Sequence, residues 1–255
     1  MMTRTLLRAS AALFALAPLS LAAPAEAPNL PPEDLATFNR LAAPTVSPDG
    51  RWVVYQQTDT NAESYARTTG LWIVPSDGHL EPVRIANLDG ANETSPAFSP
   101  DGARLYFVSD KSGKDQLWTA AFTAASGTVA DPVQASDTIA DVAGFRIAPN
   151  GQRVVLWGDI GMDCPTFGCA NQVDRALPGP GTGRVYNQMF VRHWDQWEQT
   201  GIHSRAFTFA LGADGRLTGD AAAIGAELTG DTPSKPFGGA EEIGWSADSQ
   251  TVFFT

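Results

Sequence analysis

Phe98-Ser99-Pro100-Asp101-Gly102, followed by Ala103-Arg104-Leu105-Tyr106-Phe107, is the stretch that decides the fold. An apolar residue closes one strand. Pro100 presets φ for the first corner of a type I turn, Asp101 can bond the turn backbone, and Gly102 takes the positive φ that such hairpins need. A β-branched and aromatic strand then returns. The unit recurs as Val46-Ser47-Pro48-Asp49-Gly50 before Arg51-Trp52-Val53-Val54-Tyr55, and as Ile147-Ala148-Pro149-Asn150-Gly151 before Gln152-Arg153-Val154-Val155-Leu156. The weakest copy, Trp245-Ser246-Ala247-Asp248-Ser249 before Gln250-Thr251-Val252-Phe253-Phe254, replaces both Pro and Gly. The copies begin at residues 46, 98, 147 and 245, so the intervals are 52, 49 and 98 residues.

Working outward, a further strand follows each hairpin: Gly70–Val74, Gln116–Ala120 and Arg205–Phe209. Polar, Gly-containing connections such as Ser76-Asp77-Gly78 lead on from these strands. Four strands at a period near fifty residues make a propeller blade, whereas a β-sandwich needs no identical turn at a fixed interval. The expected fold is therefore all-β: an incomplete β-propeller of about three to five four-stranded blades. The long third interval is read as an insertion over residues 158–204, between the second and third strands of one blade; a blade that lost its motif is the alternative. Residues 43–255 form the partial propeller and residues 23–42 a lead-in. In that lead-in Pro31-Pro32-Glu33-Asp34 starts a short helix with Leu35, Phe38 and Leu41 as its apolar stripe. Because the last residues, Val252–Thr255, fall inside a strand, the sequence is expected to be a fragment of a longer protein.

Residues 1–22 read as a signal peptide. Arg4 and Arg8 precede an apolar run from Ala11 to Ala22, and Ser20-Leu21-Ala22 offers a small-x-small cleavage site. The run is short for a membrane span, so a periplasmic or secreted location without a membrane anchor is expected. Cleavage removes two positive charges and no negative ones, taking the formal charge from −11 to −13. That balance argues against nucleic acid and anionic membrane surfaces as partners. The two cysteines, Cys164 and Cys169, are close in sequence, and in an oxidising compartment they read as a disulfide. A metal site would need two more ligands nearby, with only His193 and His203 as candidates; no metal or cofactor is expected.

Arg184-Val185-Tyr186-Asn187 and Phe190-Val191-Arg192-His193-Trp194-Asp195-Gln196-Trp197, then His203-Ser204-Arg205-Ala206-Phe207, carry a family resemblance. Together with the repeats they resemble the prolyl oligopeptidase family of serine peptidases, in its secreted dipeptidyl-peptidase 5 and acylaminoacyl-peptidase-like branch. Asn187 stands where that branch usually has Asp. The resemblance implies a propeller of about seven blades that filters peptide substrates, and a C-terminal α/β-hydrolase domain holding the Ser–Asp–His triad. The serine of that domain sits in a Gly-x-Ser-x-Gly elbow. No such elbow occurs in this sequence, so no catalytic residue is assigned and the chain alone is expected to be inactive.

Arg192, His193, Trp194, Asp195, Trp197 and Glu198 are the candidate substrate-binding residues, with Asp195 and Glu198 the anions available for a substrate ammonium. A buried polar-aromatic network anchoring the insertion is the other reading of the same cluster. The expected function is the propeller portion of an exported serine exopeptidase, dipeptidyl or acylaminoacyl, that gates and positions peptides. A stand-alone periplasmic binding or scaffold propeller is the alternative.

Overall fold

The four turn motifs fold into one repeated hydrogen-bond cassette. In the computed structural model, which describes residues 31–169, 191–193, 196–197, 199 and 201–255, the fourth residue of each turn donates its N–H to the carbonyl of the first. These bonds run Gly50 to Ser47, Gly102 to Ser99, Gly151 to Ala148 and Ser249 to Ser246, at 2.8–2.9 Å. All four donors have positive φ, +73°, +68°, +70° and +60°. Ser249 thus takes unaided the backbone conformation that glycine takes elsewhere. In the three serine-containing copies the motif serine Oγ donates to the Asp carboxylate at 2.5–2.6 Å. The same carboxylate accepts the N–H of Arg51, Ala103 or Gln250. The serine Oγ in turn accepts the N–H that opens the return strand. Ala148 has no hydroxyl, and there Asn150 Oδ1 accepts the Gln152 N–H alone, at 2.9 Å.

Each cassette opens an antiparallel sheet. Blade 1 is β1 (Arg40–Val46), β2 (Trp52–Thr60), β3 (Arg67–Pro75) and β4 (Val83–Ile85), in that order. Blade 2 is β5 (Glu93–Phe98), β6 (Arg104–Ser109), β7 (Gln116–Thr123) and β8 (Thr128–Gln134). Blade 3 starts with β9 (Gly144–Ile147) and β10 (Arg153–Gly161). After a separate hairpin, β11 (Arg192–His193) with β12 (Gln196–Trp197), it is completed by β13 (Ile202–Leu211) and β14 (Leu217–Ala223). β10 pairs directly with β13, from Arg153 opposite Ala210 to Gly161 opposite Ile202. β15 (Ile243–Trp245) and β16 (Val252–Phe254) form a further two-stranded hairpin. Among the described residues the fold is thus three four-stranded blades and the opening hairpin of another, an incomplete β-propeller.

Strand alternation places the core between the blades. On β6, Leu105 and Phe107 pack toward blade 1 with Val54, Leu71 and Ile73. Their neighbours Tyr106 and Val108 pack toward blade 3 with Phe145, Val154 and Leu156. On β10, Val154 and Leu156 face blade 2, while Val155 and Trp157 face Ile243 of the last hairpin. A strand buried on both faces reads as a continuous apolar run rather than an alternating one, which is why Leu105–Val108 and Val154–Trp157 carry no polar residue.

The inner strands hold a second repeat that the turn motif conceals. β1 and β5 each bulge four residues before the motif serine, at Ala43 (φ +46°) and Ser95 (φ +53°). Each bulged residue precedes a proline, Pro44 or Pro96, that cannot donate to the ladder. The short helix is α1 (Pro32–Thr37), and its expected apolar stripe does not exist. The helix ends before Phe38, Leu41 belongs to β1, and Leu35, Phe38 and Leu41 are all exposed. An extended backbone from Arg40 breaks the 3.6-residue period on which the stripe depended.

Candidate functional site

Strand direction sorts the loops onto two faces. The motif turns lie together on one face: Pro48 stands 3.5 Å from where a Cβ on Gly102 would project, Pro100 3.7 Å from that on Gly151, and the Asn150 N–H donates to Ser249 Oγ at 3.0 Å. The loops from second to third strands and the connections between blades therefore emerge on the opposite face. That face includes residues 110–115, 162–169 and 224–242.

Cys164 and Cys169 lie on this opposite face and are disulfide-bonded, with their Cα atoms 5.4 Å apart. The small ring projects Phe167 into the core between blades 2 and 3, where it meets Phe207 and Phe209 edge-on, with centroids 5.7 and 6.1 Å apart. Gly168, at φ +96°, brings the backbone so close to Ala140 that a Cβ would stand 2.5 Å from its amide nitrogen. Arg205 clamps the ring, its Nη1 donating to the carbonyls of Gly161 and Cys164. Burial pulls its guanidinium below its ordinary pKa, with Asp163 opposing.

Of the six candidate binding residues, the structure brings two together. Arg192 and Trp197 face each other across the β11–β12 pair, the guanidinium carbon 5.2 Å from the ring centroid. Both are exposed. His193 takes the strand position opposite Gln196. Trp194, Asp195 and Glu198 lie outside the described residues, as does the whole leader, residues 1–22.

A cleft of about 320 Å³ opens on the same face, between blade 3 and the connection to β15. Trp157 and Asp159 of β10, Ser204 of β13, and Ser95, Phe145 and Lys235 are among its lining residues. Asp159 and Ser204 are cross-strand partners. Lys235 reaches in from the connection, its Nζ 2.7 Å from Asp159 Oδ1 and 3.9 Å from Asp231 Oδ1. Asp231 Oδ1 also accepts the Ser204 N–H at 2.7 Å and stands 3.5 Å from His203 Nδ1. The connection is tied down by Ser234, whose N–H and Oγ both donate to Glu242. Those two bonds hold the Glu242 carboxyl below its ordinary pKa. Arg146 secures it again by donating to the Ala240 carbonyl.

Sequence reading missed this cleft. Asp159 and Lys235 are 76 positions apart in sequence, and the signal available was indirect: the Pro-rich stretch Thr232-Pro233-Ser234-Lys235-Pro236, with Asp231 four residues before Lys235.

No family model matches the chain. Dipeptidyl-peptidase 5 of Porphyromonas gingivalis is 28% identical over 226 residues, covering 89% of this chain and 31% of that protein. Dipeptidyl-peptidase 5 of Aspergillus fumigatus is 27% identical over 245 residues, covering 92% of this chain and 33% of the relative. The chain thus spans about a third of the length of the curated relatives it matches. The apo structure of AtxE2 isopeptidase superposes with a TM-score of 0.50 at 16% identity, over 79% of this chain and 33% of that one, a likeness of fold alone. No helix among the described residues is long and apolar enough to cross a membrane. In sequence the chain is thus similar to about a third of dipeptidyl-peptidase 5 from two organisms, and in fold it is an incomplete β-propeller.

Proposed function

We propose that this chain is the propeller portion of an exported serine exopeptidase, and that it gates and positions peptides for a catalytic domain. One observation carries the reading: similarity to dipeptidyl-peptidase 5 runs through 89% of the chain yet occupies only 31% of the relative. The sequence has no Gly-x-Ser-x-Gly elbow, so acyl transfer through a serine would belong to residues outside it. The chain's own contribution is a rigid scaffold whose opposite face groups the Arg192–Trp197 hairpin, the disulfide ring and the Lys235 cleft. Loops gathered on one face of such a scaffold commonly carry binding. The excursion expected over residues 158–204 is shorter, because residues 158–161 and 202–204 pair within blade 3 as β10 and β13; the segment between these two strands carries Arg192 and Trp197 and acts here as the excursion. Export follows from the leader at residues 1–22, and the disulfide suits an oxidising compartment.

The test uses the chain alone and the chain joined to the hydrolase domain of a dipeptidyl-peptidase 5 relative. A dipeptidyl chromogenic substrate should stay intact with the first and be cleaved by the second, with serine-directed inhibition. The fusion should also spare folded proteins while cleaving short peptides. Turnover by the chain alone, sensitive to the same inhibitor, overturns the reading. An inert fusion whose two parts are both folded favours a stand-alone binding propeller.

A further inference from the structure

The Lys235 cleft has the build of a receptor closed by its own tether. Its lining carboxylate sits on a rigid element: Asp159 is on β10, opposite Ser204. Its cation, by contrast, arrives from a connecting segment on a four-carbon stem, with a side chain 30% exposed. Partly exposed ion pairs of this kind are weakly held, so the ammonium can leave while the Asp159 carboxylate stays. Trp157 forms part of the wall, an apolar surface along which the stem of a basic side chain can lie. An anionic ligand would instead meet Asp159. We propose that this cleft is a seat for the basic side chain, lysine or arginine, of a bound peptide. In the structure Lys235 occupies the place of that side chain.

The proposal rests on the reading that this face meets peptides, but not on hydrolysis. Opening the cleft exchanges one ammonium for another at an unchanged Asp159 carboxylate, so Lys235 acts as a built-in competitor. Its removal should tighten binding rather than weaken it.

The experiment is a titration of the chain with an N-acetylated, C-amidated peptide containing one lysine, against the same peptide with norleucine. The basic peptide should bind about threefold or more tightly than its neutral twin, as a partly exposed charge pair demands. Lys235→Met should then tighten the basic peptide about three- to fivefold, and Asp159→Asn should weaken it about threefold. Near-UV circular dichroism confirms that each variant is folded, and Lys235→Gln serves if the methionine variant is not. Equal binding of the lysine and norleucine peptides overturns the proposal and needs no variant. Unchanged or weaker binding by Lys235→Met overturns it too, and leaves Lys235 as a staple for its segment. A neutral peptide with a free α-amine that binds as well as the blocked basic one shows recognition of a chain terminus, and also overturns it. Because only binding is measured, a catalytically silent fusion leaves the proposal standing.

Discussion

The two faces of the arc are built on different principles. On the turn face every cassette is local: the bonds of the Ser99–Arg104 unit span at most five residues, and the unit is copied in blade 3 with Ala148 and Asn150 in place of serine and aspartate. Among the described residues of the opposite face nothing repeats. The disulfide ring, the β11–β12 hairpin and the Lys235 cleft each occur once, and the ring and the cleft are held by contacts distant in sequence: Phe167 to Phe207, Arg205 to Gly161, Lys235 to Asp159. A repeated face makes the scaffold regular, and a singular face makes it specific.

The largest way to break that contrast is Phe167→Ala. Phe167 is 3% exposed between two blades, so truncation should cost about 3–5 kcal/mol. Urea unfolding of the variant checks this; a loss below about 1 kcal/mol would show the ring to be an ornament on the face rather than part of the core.

Gly102→Val attacks the turn face. A β-branched residue at φ +68° is strained, by about 1–3 kcal/mol, and its side chain grows toward Pro48 of the next turn. Gly50→Val carries the same strain with open space around its Cβ. Thermal melts of the two variants should therefore differ, Gly102→Val melting lower, if contact between neighbouring turns contributes to stability.

Replacing Cys164 and Cys169 by serine should cost about 2 kcal/mol, because a closed loop this short removes little unfolded-state entropy. Comparing the double variant with the reduced parent in denaturant measures it. A loss as large as that of Phe167→Ala would mean that the bond, rather than the aromatic contact, seats the ring.

The smallest effect should come from acid. The Ser99 hydroxyl, and then the Ala103 N–H, hold Asp101 below its ordinary pKa, and Asp49 and Asp248 are lowered by their own serines in the same way. A carboxyl lowered in the folded state contributes stability that is complete above its unfolded pKa, about 4, and drains as pH falls through the folded value. Asp101→Asn copies the arrangement at Asn150. Its stability deficit relative to the parent should be present at pH 7 and shrink below about pH 4. Acid titrations followed by circular dichroism check this, and a deficit that grows on acidification contradicts it.

Turn chemistry and period were legible because they are local: Ser, Pro, Asp and Gly act within six residues, and fifty-residue spacing sets the blade. Even the degenerate copy kept its turn, since Ser249 adopts positive φ. The helix stripe was misread because α1 stops at Thr37 and the chain becomes extended, which local apolar spacing does not report. The bulges at Ala43 and Ser95 could have been found from the prolines that follow them.

By itself, then, the sequence determined the hairpins, their repeat, the acidic charge and the kinship of the chain, all of which rest on short-range chemistry or on residue identity. Only the tertiary structure decided that Phe167 plugs the space between two blades and that Asp159, Ser204 and Lys235 share one cleft. Those pairings join residues up to 76 positions apart. They arise because stacking blade 3 on its neighbours and running the connection back across its end bring distant chain together, which no local propensity encodes.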